Sequence, residues 1–570
     1  GLQVLDTFRS NKCIIMTGFS LKDYPIVIGI DFGTTFSPNQ LRAYAKTPTT
    51  SLYEVDEKDQ QQGPLGKNDE IKENEENTGT RFVTWGWQAK QRGESRVRNQ
   101  KLLQEFKLQL DESFTRNSTD LRVGSIQAIA DYLEAFNAYI TQEILSGFGD
   151  GFTAKMFRYC LTVPAMWSDK AKYAMRLAAI QAKLITREDH PARLTLVTEP
   201  EAAALYCELK CKQLSLKDKD RFMVCDAGGG TVDLIVYEIN ETTEGRRLSE
   251  VTKGHGDTCG SVFVDRNLKD LVVEKFHRQG VELPEKVLSK MMDQFIYDIK
   301  PHFNGEKNHF LDLPSNPCFN NITGEDEIGI VDGELRLDCE ELKKKVFDPV
   351  VSKVLELIEQ QLSSAGSCST ILLVGGFGSS DYLSALTREK FYSKVKQILV
   401  PHRPDLAVVR GAVYAGLNPK VTARISRRWY GISTMQEFRE GIDPESHRYN
   451  HSMGSRCNNR FSLMAKKGQR LEVDECVEVK GHFINERHLN FATISIHAFD
   501  GNDKPPDYTT SSGVFELAKF RFENPFSSTD EVKKEVIIKL YFGLSEIKAT
   551  AKIDDKELTT NLHFDATDSY

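Results

Sequence analysis

The chain of 570 residues contains no apolar run approaching 18 residues, so it offers no transmembrane helix. It also lacks a basic excess. Lys and Arg number 74 against 82 Asp and Glu, a formal net charge of -8, which argues against a general nucleic-acid or anionic-membrane binder. The 11 cysteines are odd in number and scattered, with no Cys-x-x-Cys pair. That usage reads as reduced thiols and a cytoplasmic setting. Cys207 and Cys211 are spaced to share a helix face and read as packing, and the 12 histidines are too dispersed to be metal ligands. No Gly-x4-Gly-Lys-Ser/Thr loop occurs, no strand leads into Gly-x-Gly-x-x-Gly, and neither His-Glu-x-x-His nor Gly-x-Ser-x-Gly is present. These absences remove P-loop, dinucleotide-binding, zinc-protease and α/β-hydrolase chemistry. Residues 1–15 have neither a clear period nor signal-peptide anatomy, and Met16 directly precedes the first ordered-looking block. Residues 1–15 therefore read as a fragment end or a gene-model artefact, and the segment 1–23 is left unassigned. The sequons at Asn117 and Asn321 read as chance in a reduced chain.

What is present is a globular composition, 40% hydrophobic and 27% charged, in a chain long enough for more than one domain. Its centre is Phe222–Tyr237: an apolar strand, Asp226, the glycines Gly228, Gly229 and Gly230, then Thr231, Asp233 and a second strand. One glycine would suffice for a tight turn. Three residues without side chains let a phosphate approach backbone N–H groups, and an Asp on each side is suited to holding a metal ion by way of water. An earlier stretch, Ile26–Ser37, repeats the plan with Asp31, Gly33, Thr34 and Thr35.

Along the chain, residues 54–77 hold nine carboxylates and three lysines and read as a solvated, disordered insertion, given as 54–79. Apolar residues at helical spacing predict an amphipathic helix over 125–145. A strand is expected near 157–163, with Ser168 capping the helix that follows. Glu199-Pro200-Glu201 opens a helix of close-packing alanines. Ile371–Val374 runs into Gly375-Gly376, and a helix rich in Ala and Gly ends at Leu417. Beyond Asn418-Pro419 the period changes to two, as in Ala492–Ala498 and Ile547–Ile553. The expected organisation is a nucleotide-binding domain over 24–417, a basic linker over 418–429, a β-rich domain over 430–558 and a polar tail over 559–570.

Five segments in order, Ile30–Ser37, Val163-Pro164-Ala165, Glu199–Ala204, Asp226–Asp233 and Val374-Gly375-Gly376, resemble the heat-shock protein 70 family of the actin-like ATPase superfamily. Trp85-Gly86, Thr198–Glu201 and Gly376-Phe377-Gly378 resemble its divergent member-12-like branch. The resemblance covers roughly residues 26–417. It implies an α/β actin-like ATPase fold, two ribonuclease-H-like lobes clasping a nucleotide, here followed by the β-rich C-terminal domain.

It further implies ATP or ADP with Mg²⁺. Gly33, Thr34 and Thr35 from one lobe, and Gly228, Gly229, Gly230 and Thr231 from the other, would hold the phosphates. Asp31 and Asp226 would hold the metal through its waters. Asp233 and Glu199 would orient the water or the ion, and Lys90 would face the phosphate. Gly375, Gly376 and Asp405 would border the adenosine, with Lys300 beside the ribose or adenine. Phosphoryl transfer to water needs positioned charge and donors, and no covalent nucleophile.

The expected activity is slow hydrolysis of ATP to ADP and phosphate by a heat-shock-70-like chaperone or nucleotide switch. Polypeptide clients or regulatory proteins would meet the β-domain; neither nucleic acid nor membrane is expected as a partner. The alternatives are a degenerate nucleotide-binding scaffold without turnover and a small-molecule kinase of the superfamily. Three departures from the family pattern stand out. Only Pro38–Lys46 separates Ser37 from Thr47-Pro48, too short for the family's hairpin there. Phe377, Ser379 and Ser380 occupy the stretch of its adenine-stacking Arg, and no apolar, acidic-ended linker follows residue 417.

Overall fold

In the computed structural model the described residues are 4–5, 13–17, 24–33, 47–55, 80–94, 99–110, 123–148, 151–210, 215–243, 245–320, 322, 325–451, 454–473, 475–484, 491–501, 504–523, 533–553 and 556–560. Thr34, Thr35, the short stretch 38–46, residues 56–79 of the acidic insertion and residues 561–570 of the tail lie outside them.

Two sheets are built on one plan. In the first, the buried strand Ile26–Ile30 has the parallel neighbour Phe157–Val163, which in turn has the parallel neighbour Leu194–Thr198; the helix Glu199–Lys210 follows. In the second, Arg221–Ala227 is followed across the sheet by the parallel strands Thr370–Val374 and Gln397–Leu399, and the helix Ala407–Leu417 comes next in the chain. Runs such as Ile26–Ile30 and Phe157–Val163 are buried on both faces, as parallel strands covered by helices must be. The two helices pack against one another where the sheets meet. A Cβ at Gly411 would fall 1.6 Å from the Ala202 carbonyl oxygen, so their backbones touch, and this explains the Ala/Gly-rich sequences.

The copies differ in their antiparallel partners. Arg221–Ala227 pairs with the strand that follows it, Val232–Thr242, and then Gly245–Glu250. Ile26–Ile30 pairs with Cys13–Thr17, which precedes it, so part of the unassigned N-terminal segment is strand. Each sheet has its own core. The first packs on the helices Ser125–Phe148 and Asp169–Gln181, the second on Ser261–His277 and Asp348–Ala365. The periodicity that suggested a helix over 125–145 continues to Phe148, and Ser168 caps its helix by accepting the Ala171 N–H at 3.2 Å. A smaller sheet, Thr80–Trp85, Thr50–Val55 and Gln100–Gln104, carries the helix Gly86–Glu94 on the first lobe.

The segment after Leu417 forms the strand Val421–Ile425. It enters the second sheet parallel to Gly245–Glu250 and carries Arg470–Glu472 on its other edge. Beyond it, two antiparallel sheets share one core of residues such as Ile432, Ile496, Ile538 and Leu540. The turn 542–547 seats this β-region on the helix Asp169–Gln181. Arg176 grips Glu546 through two hydrogen bonds of 2.8 and 2.6 Å, Lys172 donates to the Ser545 carbonyl at 3.1 Å, and Tyr430 bonds Asp169 at 3.1 Å.

A candidate nucleotide site at a glycine turn between two aspartates

Asp226 and Asp233 stand directly opposite each other on the central hairpin, both buried. Between them, the glycine turn is braced from behind by the helix Ser261–His277. The N–H groups of Gly260, Ser261 and Val262 donate to the carbonyls of Gly230, Gly228 and Gly229 at 3.0, 3.1 and 2.8 Å. A helix start leaves such donors without intrahelical partners, and here they fix the turn's carbonyls. Among the described residues no acceptor takes the amides of Gly229 and Gly230, the arrangement an anion-binding turn needs. A Cβ on Gly260 would lie 2.4 Å from the Gly229 oxygen, so a glycine is required there too. Thr231 is buried beside the turn and hydrogen-bonds Asp233.

Glu199, first residue of its helix, brings the first lobe to this hairpin. Its Oε1 accepts from Lys107 Nζ at 2.5 Å, with both side chains almost fully enclosed. Lys107 also lies over the rings of Trp167, at 5.4 Å, and Phe32, at 5.9 Å. Burial pushes the Glu199 carboxyl up to about 7; Lys107 opposes this, while Asp233 and Asp31 add to it. Burial likewise raises Asp233 to about 6 against its bond from the Met166 N–H at 2.9 Å, a bond from Thr231, and the charges of Lys107 and Arg427. Its second oxygen, Oδ2, is buried without a partner. Asp31, at the end of Ile26–Ile30, accepts from Thr162 at 3.2 Å. Asp31, Glu199, Asp233 and Lys107 thus form one cluster, and Asp226 lies across the hairpin from Asp233.

Lys90 spans from the helix Gly86–Glu94 to the second lobe, 3.0 Å from Asp293 and 2.7 Å from the Tyr297 hydroxyl. Lys107 is the lysine that meets Glu199. Its signal in the sequence is weak: one lysine between the core residues Phe106 and Leu108, in a short 3₁₀ turn. Lys300 is buried against Asp265 at 2.7 Å. Gly375, at φ +84°, sits so close to the hairpin that a Cβ would come within 2.5 Å of Asp226 Oδ1, whereas Gly376 has open space beside it. Asp405 is held by the guanidinium of Arg403 at 2.9 Å. Of the first turn, Gly33 accepts from the Thr49 hydroxyl at 2.7 Å, and Thr34 and Thr35 lie outside the described residues.

The free turn amides and the buried Lys107 ammonium are donors that fit a nucleotide phosphate, and the orphaned Asp233 oxygen fits a water that donates to it. Among the described residues no three His, Cys, Asp or Glu side chains gather closely enough to ligate a metal directly.

Two lobes of one plan, with a carboxylate at the end of the leading strand of each, Asp31 and Asp226, and the helix-borne Glu199, define the actin-like ATPase fold, here followed by a β-rich region. The family model described as "Hsp70 protein" matches residues 134–423, just over half of the chain, and the chain belongs to the heat-shock protein 70 family. It is similar to Heat shock 70 kDa protein 12A of Mus musculus, 25% identical over 536 residues that cover 79% of this chain and 77% of the relative. The Homo sapiens 12A protein is 24% identical with the same coverage, and Homo sapiens 12B is 24% identical over 75% of this chain and 73% of its own. These relatives make it a divergent, member-12-like, ATP-binding protein of the family. Among the described residues no helix is long and apolar enough to cross a membrane.

Proposed function

We propose that the protein binds Mg-ATP at the Gly228–Gly230 turn and hydrolyses it slowly to ADP and phosphate, as a heat-shock-70-like chaperone or nucleotide switch. The observation that carries this reading is the buried cluster of Lys107, Glu199 and Asp233 beside that turn. Both carboxyls are raised toward neutrality, which suits one of them to take a proton from an attacking water. Lys107 adds a fixed positive charge where phosphate charge develops, in surroundings that exclude water. Asp31 and Asp226 would hold Mg²⁺ through water, and the ion would neutralise the phosphates. The open side of Gly376 supports an adenosine bordering that turn. The β-region would be the client or partner surface, and its seat on the first lobe supports a switch rather than two independent units. The scattered cysteines, with no Cys-x-x-Cys pair, support a reduced, cytoplasmic setting.

Calorimetric titration with Mg-ATP, paired with a phosphate-release assay, tests the proposal. Saturable binding with release above blank is expected. Binding without release would favour the scaffold reading, and no heat at millimolar ATP would sink both.

A further inference from the structure

The connecting segment 421–428 carries three arginines, and they point to three different places. Arg424 is buried between two carboxylates, 2.7 Å from Glu201 and 3.2 Å from Glu250, and Glu250 also accepts the Ile425 N–H at 3.0 Å. This triad anchors the strand to the second lobe and to the helix that begins at Glu199. Arg428 turns outward, 2.9 Å from Asp500 and over the Phe515 ring. Arg427 turns inward. Its Nη1 comes within 3.5 Å of the Trp167 carbonyl, and a Cβ on Gly254 would lie 2.7 Å from its Nη2. Residues 166 and 167 both face the site: the Met166 N–H holds Asp233, and the Trp167 ring lies beside Lys107.

We propose that Arg427 is a positioning residue for the nucleotide site. Anchored by Arg424, it holds the Met166-Trp167 backbone and so fixes the orientation of Asp233. The inference rests on the function proposed above and adds the connector to its machinery. Asp233 and Glu199 are faced by Lys107 and Asp31 from the first lobe, by Asp226, Cys225 and Cys259 from the second, and by Arg427 from the connector. The guanidinium is thus the one cation in that set that comes from outside the two lobes. It favours the ionised form of Asp233.

Amide exchange read by mass spectrometry on the full chain without nucleotide separates this inference from the functional reading. In Arg427→Ala, exchange of the Met166 amide should rise at least about tenfold, the loss of one well-placed hydrogen bond. Peptides from the strand Arg221–Ala227 should stay as in the native protein. Arg427→Lys should restore part of the protection. Gly254→Ala, which crowds the guanidinium without removing it, should mimic Arg427→Ala. Arg428→Ala should behave as native. In ATP turnover, the acidic limb of the pH profile should move up in Arg427→Ala, because the guanidinium favours the ionised form of Asp233. Native Met166 exchange in both Arg427→Ala and Gly254→Ala would overturn the inference. Should the native protein neither bind nor hydrolyse Mg-ATP, the functional reading falls and the exchange result alone decides on Arg427.

Discussion

Lys107 Nζ lies 2.5 Å from Glu199 Oε1, in a pair drawn from segments 92 residues apart and almost closed to water. A buried ion pair is strongly weakened by removing one member, because the other is left uncompensated. Lys107→Met should therefore lower ATP turnover by about a hundredfold or more, the worth of one preorganised charge at the reacting centre. Without the ammonium, the Glu199 carboxyl rises further and the acidic limb of the rate profile moves with it. A turnover and profile unchanged in Lys107→Met would remove this lysine from the site.

Lys90 should respond differently. It joins the lobes through Asp293 and Tyr297 from a partly exposed position. Lys90→Ala should speed nucleotide release about two- to fivefold, the range for an ion pair open to solvent, while single-turnover hydrolysis keeps its rate. Stopped-flow release of a fluorescent ADP analogue measures the first and rapid quench the second. Hydrolysis as impaired as in Lys107→Met would return Lys90 to the phosphate.

Asp233 gives a signed dependence of stability on pH. Its folded value is raised from 3.8 to about 6. The protonated side chain thus suits the fold, and its contribution is fully present below 3.8 and is lost as pH rises through about 6. Comparison with Asp233→Asn isolates this effect, whatever constant offset the amide brings. The native-minus-variant stability should fall by about 2 kcal/mol between pH 4 and pH 8. Urea unfolding at several pH values checks it, and a difference flat across that range would contradict the raised carboxyl.

The seat of the β-region depends on Arg176 and Glu546, whose two bonds are partly shielded from water. A double-mutant cycle with Arg176→Ala and Glu546→Ala should give a coupling of about 1–3 kcal/mol, as for a bidentate charged pair. The single variants should also speed proteolytic cutting near residues 418–429. Additive effects in the cycle would mean that the seat is held elsewhere.

Much of the fold was legible in the sequence because its signals are local. Strand runs such as Phe157–Val163, the Ser168 cap and the period-two strand Phe491–Phe499 each depend on neighbours within a few residues. The basic segment after residue 417 gave no such signal for a strand. Val421–Ile425 is shaped by its partners Gly245–Glu250 and Arg470–Glu472, far away in the chain. The partners of the lysines were not legible for a related reason. Lys90 sits in a recognisable motif but reaches a partner 203 residues away, whereas Lys107 sits in no motif at all.

By itself, the sequence determined the glycine turn between Asp226 and Asp233, the strand that leads into Asp31, and Glu199 at a helix start. Those features follow from backbone freedom and residue order within short spans. Only the tertiary structure decided which cations meet these carboxylates. Lys107 meets Glu199, Arg427 approaches from the connector beside Asp233, and Lys90 spans the cleft instead. A long, flexible cationic side chain selects its partner by what folding buries beside it, and that choice is absent from the order of the residues.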